Sequence, residues 1–293
     1  MSKTETPVET PVAAPARHVG AIRRSLRLTR TRVGLACVLL VLAIAVLGPL
    51  FAPHSTTEFV GAPFQPPGPD YLLGTDRIGR DVLSRFLAGG KLLIFISLLS
   101  TVIGVGAGAV LGLLAAQGNK LLDEIIMRFC DLKMSFPGIV LSLLVITVLG
   151  KHLPVLVGVV ALDLAPHAIR VVRSATVQVR EADFVRYAEG NGTSASRVMF
   201  QEILPNIASP LTVEFAQRLT YAIGSVAGLA YLGLGVQPPT ADWGVMIQEN
   251  QVGLTATPLA VLVPVVAVVV VTVGANLVAD GFALATAGIE DRT

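Results

Sequence analysis

The sequence predicts an all-α integral membrane protein with six transmembrane helices, and three observations carry that prediction. Charged residues make up 14% of the 293 residues and mean hydropathy is +0.71, whereas ordinary globular proteins carry about 25% charge. So little charge cannot coat a water-facing surface, and lipid must cover it instead. Apolar runs long enough to cross hydrocarbon recur six times, and Lys and Arg gather on alternate connections between them. A net charge of +2 gives no footing for nucleic-acid binding. Cys37 and Cys130 are far apart and belong to no ligand cluster, so neither a disulfide nor a metal site is expected.

Taken in chain order, residues 1–32 read as a cytoplasmic basic tail whose Thr, Pro, Glu and Ala-rich start cannot bury enough surface to fold. The first apolar run, 33–52, is long enough to remain as an anchor and not a cleaved leader. Residues 53–91 form an external loop with an amphipathic segment. The core, 92–285, holds the other spans at about Leu92–Ala116, Met134–Gly150, Leu153–Ile169, Ile207–Leu232 and Pro258–Leu284, and residues 286–293 are a cytoplasmic C-terminal tail. The third and fourth spans are joined only by Lys151 and His152, which favours a tight hairpin over a single broken, re-entrant pair. In the second span Gly104, Gly108 and Gly112 fall four apart, one helix face open to close approach by a neighbour.

Basic residues orient the chain. With the N-terminus inside, the cytoplasmic segments hold Lys3, Arg17, Arg23, Arg24, Arg27, Arg30 and Arg32, then Lys120, Arg128 and Lys133, then Arg170, Arg173, Arg180, Arg186 and Arg197, and finally Arg292. The external segments hold only Arg77, Arg80, Arg85, Lys91 and Lys151. That asymmetry places both termini in the cytoplasm.

The long cytoplasmic connection 170–205 is punctuated as helix, turn, helix. Arg180 to Glu189 reads as one helix, Gly190 and Gly192 permit the reversal, Ser194 caps a second helix running to Leu204, and Pro205 stops it. No Gly-x-x-x-x-Gly-Lys-Ser/Thr loop occurs, so the chain supplies no nucleotide site of the P-loop kind. No nucleophile elbow or His-Glu-x-x-His helix is present either, and His18, His54, His152 and His167 are scattered.

Arg-Tyr-Ala-Glu-Gly-Asn-Gly at 186–192, with Gly192 followed at the right interval by Leu204 and Pro205, resembles the Glu-Ala-Ala loop of ABC importer permeases. Arg186 and Tyr187 depart from that pattern, standing where Glu and Ala are usual. Leu-Gly-Thr-Asp-Arg-Ile-Gly-Arg-Asp at 73–81 with Ser84 and Arg85 is similar to the dipeptide, oligopeptide and nickel branch, and to its second, C-type permease subunit. So are Asp123 with Met127 and Arg128, Ser135 to Pro137, Arg170 with Arg173, Leu232 to Pro239, and Trp243, Gly244 and Met246.

The resemblance implies a type I ABC importer permease-like fold, alternating access, and half of a pathway for di- or oligopeptides or a similar small solute, nickel among them. It implies as partners a second permease subunit, two ABC ATPase subunits that bind the ATP and Mg, and an extracellular or periplasmic substrate-binding protein, with lipid around the spans of a bacterial inner-membrane complex. The chain itself needs no cofactor. ATPase coupling falls to Phe184, Ala188, Glu189, Gly192, Leu204 and Pro205. Binding-protein docking falls to Asp76, Arg80, Asp81, Pro238 and Trp243, and the alternative for Leu73–Arg85 is an amphipathic helix lying on the membrane surface.

For the pathway the residues themselves nominate Asp163, Glu214 and Arg218, charges inside apolar runs. Glu214 and Arg218 lie one turn apart with the acid first, the better order for a pair, and roughly 13 to 20 Å beyond Pro205. A secondary transporter would need an internal repeat that the sequence does not offer. An intramembrane enzyme would rest on Asp163 and His167, which no nucleophile accompanies.

Overall fold

A computed structural model describes residues 24–117 and 119–287, and among these every regular element is helical. The expectations for the two chain ends, including Lys3, Arg17, Arg23 and Arg292, lie outside the described residues. Helix α1 (Thr29–Leu47) continues as a 3-10 turn through Phe51, α2 spans Val82–Ala116, α3 Lys120–Met134, α4 Gly138–Leu149 and α5 Leu153–Arg180. Then come α6 (Asp183–Gly190), α7 (Leu204–Tyr231), α8 (Trp243–Asn250) and α9 (Leu259–Ala287).

Helices α2, α5 and α7 form the centre, with α1 and α9 packed together on one flank and α3 and α4 on the other. The glycine face of α2 accounts for the closest pairing. A Cβ built on Gly104 would stand 2.6 Å from the Ala161 carbonyl oxygen, and one on Gly112 would stand 2.7 Å from that of Ile169. Side chains there would push α5 away, so the small residues let two backbones meet.

Four helices among the described residues are long and apolar enough to cross a membrane: α1 with its 3-10 extension, α2, α5 and α9. A fifth crossing is available if α3 and α4, which meet at 88°, count as one broken span. Helix α7 has the length, 28 residues, but carries Glu214, Arg218, Asn206 and Gln217 and is not among these four.

Three expectations are corrected. Helix α2 starts at Val82, ten residues before Leu92, because Asp81 caps it by accepting from the Leu83 and Ser84 amides. The segment 73–81 is therefore no surface helix: it is a loop closed by a bridge between Thr75 and Asp81, with Gly74 and Gly79 at positive φ. The third apolar run is not continuous from Met134. Ser135 closes α3, Pro137 opens α4, and α4 itself has 12 residues, about 18 Å of helix against a 30 Å hydrocarbon core. The tight link from α4 to α5 through Gly150 and His152 is as expected.

Candidate functional site

At the N-terminal end of α2, the loop after α1 and helix α8 are joined by a buried ion cluster. Asp76 Oδ2 accepts from Arg80 Nε at 2.7 Å and from Arg85 Nη1, while Glu249 Oε2 accepts from Arg80 Nη2 at 2.9 Å and Arg85 Nη1 at 2.7 Å. The Arg77 amide adds a bond to Asn250 Oδ1 at 3.0 Å. Burial alone would push the Asp76 carboxyl up, but the Arg80 amide, the Arg85 charge and the Ile78 amide together hold it below the usual carboxylate range.

Trp243 lies beneath this cluster, fully buried, stacked on Phe86 at 5.6 Å and donating its indole N–H to the Phe86 carbonyl at 2.9 Å. Gly89 and Gly90 leave room for the ring, since a Cβ on either would strike it. Asp242 caps α8 through Oδ1, accepting from the Gly244 and Val245 amides, and burial pushes its carboxyl up to about 6.

Of the residues nominated for docking a partner, Asp76, Arg80, Asp81 and Trp243 are thus buried and build the platform from within. Only Pro238 is exposed, at a tip with Gln237, Pro239 and Thr240 and preceding a cis peptide bond to Pro239. The sequence reading missed Arg85 and Glu249 as cluster members. Their pairing spans 164 residues, and its one local signal was an arginine and a glutamate at the edges of apolar stretches.

In the interior, Arg218 Nε lies 2.9 Å from Glu214 Oε1, with 19% and 5% of the side chains exposed. The two face each other as their spacing predicts, without hydrogen-bond alignment. Asp163 pairs instead with Lys133, both nearly buried. Lys133 was counted among cytoplasmic charges; the break at Ser135–Pro137 carries it to α5. A carboxylate inside an apolar run demanded a cation, and that was the available signal. Gly138 opens α4 directly against the Asp163 carboxylate, which a Cβ at this position would displace. His167 and Tyr221 lie within electrostatic reach of Asp163 and Arg218, and His167 also of Lys133, so Lys133 of α3, Asp163 of α5 and Arg218 of α7 share one neighbourhood.

The turn between α5 and α7 is a separate unit. Helix α5 runs to Arg180, two residues intervene, and α6 stands as its own helix of 8 residues. Gly192 reverses the chain at φ +76°, a left-handed conformation that glycine adopts without strain. Ser194 occupies the capping position without donating or accepting a capping bond. Pro205 does not stop a helix: a π-helical turn at Val198–Ile203 precedes it, and it stands in the first turn of α7, where its missing N–H costs nothing.

The apolar anchor of α6 is Val185, fully buried among Val172, Val198, Met199, Ile203 and Ile207. Leu204 and Ala188 pack partly on that cluster, whereas Phe184, Tyr187 and Glu189 face outward, Tyr187 at 75% exposure. Phe184, Tyr187, Asn191, Thr193 and Glu202 border an open hollow of roughly 610 Å³. The sequence reading took Phe184, Ala188 and Leu204 as the apolar set and did not separate the inward Val185 from the outward aromatics.

Comparison with known proteins brings the three regions under one description. Residues 108–286 match the family described as binding-protein-dependent transport system inner membrane component. The chain is 34% identical over 262 residues to a putative peptide transport system permease of Brucella suis, covering 88% of each chain. It is 32% identical over 246 residues to a glutathione transport system permease of Pectobacterium atrosepticum, covering 83% of this chain and 82% of that one. It is also 32% identical over 256 residues to a dipeptide transport system permease of Haemophilus influenzae, covering 85% and 87%.

Proposed function

The chain belongs to the family of binding-protein-dependent transport system inner membrane components, and from that premise we propose that it is the second, C-type permease subunit of an ATP-driven importer of peptides. It forms half of the pathway, pairs with another permease, and takes its energy from two ATPase subunits that bind ATP and Mg. The six crossings comprise α1, α2, the broken α3–α4 pair, α5, α7 and α9, with both termini in the cytoplasm. An external substrate-binding protein delivers the solute to the tip at Pro238.

What carries this reading is α6. It is a short helix, held to the bundle by one buried valine, with its aromatic face turned out beside an open hollow. A helix so placed can receive a push from below and hand it to α5 and α7, which flank it in the chain. Movement of those two helices changes the neighbourhood of Asp163, Lys133, Glu214 and Arg218. Charges at that depth cost at least about 2.5 to 3.5 kcal/mol facing lipid, so they face the bundle or a watered passage and there meet the amino and carboxyl ends of a peptide.

Purification of the complex with its partners tests the assembly: two ATPases and one further permease are expected, and their absence would sink the reading. Changing Glu214 and Arg218 together to Gln tests the passage. The complex is expected to assemble while uptake falls or the range of accepted peptides changes; a variant that carries every tested peptide normally would exclude a pathway role. A cysteine at Ser196 is expected to react only from the cytoplasm and one at Thr240 only from outside, and labelling of position 196 in intact cells would overturn the orientation.

A further inference from the structure

We propose that Arg180 is a positioning residue that fastens α6 to the cytoplasmic end of α2, so that movement of the cytoplasmic turn is delivered directly to the helix carrying the external platform. The proposal rests on the reading of α6 as the coupling element. It does not follow from that reading, because α2 has no chain connection to the turn: Arg180 and Ala116 are 64 residues apart in sequence.

Three elements end at one place. Helix α2 finishes at Ala116, whose carbonyl is among the last four that an α-helix leaves without a partner. Helix α5 finishes at Arg180, and α6 begins three residues later. Arg180 Nη1 donates to the Ala116 carbonyl at 2.6 Å, while Nη2 lies 3.9 Å from Glu189 Oε1 on α6. A guanidinium holds its donors in a fixed planar fork and can serve two partners in two directions; an ammonium is a single point that cannot keep both geometries. The two contacts are unequal. Arg180 and Glu189 are 33% and 48% exposed, so their ion pair is weak and salt-screened, and the bond to the carbonyl is the firmer fastening.

The consequence comes from what α2 is. Its 35 residues make a rod of about 52 Å, whose other end is capped by Asp81 and carries Arg85 and Phe86, the partners of Glu249 and Trp243. Ala109 and Leu113 of α2 also rest on the cluster that holds Val185. A displacement of α6 therefore acts on α2 at its inner end through both the cluster and the Arg180 bond, and the platform at the outer end shifts with the rod.

The test uses the assembled transporter in vesicles and reads solute imported per ATP hydrolysed. Arg180→Gln is expected to assemble and to lower that ratio by about fivefold or more, the usual size of a lost coupling between sites. Arg180→Lys, keeping one contact of two, is expected to lower it by less. Spin labels at Gln117 and Asn191, in a background without Cys37 and Cys130, are expected to give one narrow distance in the parent and a broad one in Arg180→Gln. A merely structural arginine would lower assembly without broadening that distance in the complex that forms.

Gly192→Leu serves as the parallel variant. If it lowers the ratio while Arg180→Gln leaves both ratio and distance unchanged, the bracket is overturned and the reading of α6 stands. If Gly192→Leu changes nothing, both are overturned. Should Arg180→Gln fail to assemble, Arg180→Lys decides: a lowered ratio supports the bracket and a parent-like ratio overturns it.

Discussion

The platform around Asp76 and Glu249 and the turn around α6 draw on similar residue types, arginines, carboxylates and aromatics, and put them to opposite use. In the platform, Asp76, Arg80, Arg85 and Glu249 are buried and paired with one another, although Arg85 Nε and Nη2 have no partner, and the aromatic pair Phe86 and Trp243 is buried with them. In the turn, Arg186, Tyr187, Phe184 and Glu189 are exposed on a helix pinned by a single valine. Motif strength does not tell the two apart, since each resembles a known segment of the family. Burial does: a patterned segment whose charges close on one another is scaffold, and one whose charges and rings face out is a contact surface.

The largest effect expected from this contrast is in the platform. Arg85→Gln removes one of the two cations that Asp76 and Glu249 share and leaves two buried carboxylates with Arg80 alone, a change that typically costs about 3 to 5 kcal/mol. Trp243 is the one tryptophan of the chain and lies under the cluster, so its fluorescence reports the unfolding of this region. The variant's thermal midpoint in detergent is expected to fall by many degrees. A midpoint within two or three degrees of the parent, about the shift that 1 kcal/mol gives a chain of this size, would show that the cluster is not a scaffold.

Sequence reasoning reached the parts of this molecule whose causes are local. The apolar runs, the glycine face of α2, the reversal at Gly192 and the facing of Glu214 and Arg218 all depend on residues within a few turns of one another. It failed where a distant partner decides. Ser84, Arg85 and Lys91 break the apolar pattern before Leu92, and only Asp81 as a cap and Glu249 as a partner make helix of that stretch. Lys133 looked like a loop charge until the bend at Ser135–Pro137 brought it to Asp163. Pro205 looked like a stop because the π turn before it, which lets a helix begin there, leaves no mark in the sequence.

A smaller effect of the opposite sign is expected from Asp242. Its carboxyl is raised from an ordinary 3.8 to about 6 by burial, so the folded platform prefers it neutral. Stability is then greatest with the proton on, and falls by up to about 3 kcal/mol as pH rises from about 4 through 6, flattening above. Asp76 runs the other way, its lowered value meaning that its contribution is lost only when pH falls through a value below 3.8. The Trp243-monitored midpoint is therefore expected to drop between pH 4.5 and 6.5. Asp242→Asn keeps the capping Oδ1 and places its amide where Oδ2 has no partner, and it should flatten that slope. A parent-like slope in the variant would assign the pH dependence to another group.

The smallest energetic effect, with the clearest functional one, is expected at Gly192. Its φ is +76° and a Cβ built there meets nothing within 4 Å, so a side chain at this position fits in space and is opposed only by the left-handed backbone. That opposition is about 1 to 2 kcal/mol for ordinary L-residues and less for Asn, whose short polar side chain tolerates the region. The platform should not feel it: the Trp243-monitored midpoint is expected to stay near the parent for every substitution. Transport per ATP should separate the variants by backbone preference and not by size, with Gly192→Ala and Gly192→Leu lowered alike and Gly192→Asn close to the parent. If instead Ala behaves as Gly and only Leu fails, the obstacle is a surface pressed against the turn by a partner. Gly192 would then belong to the contact face of the coupling unit and not to its internal bend, which moves the boundary between scaffold and contact one turn into the loop.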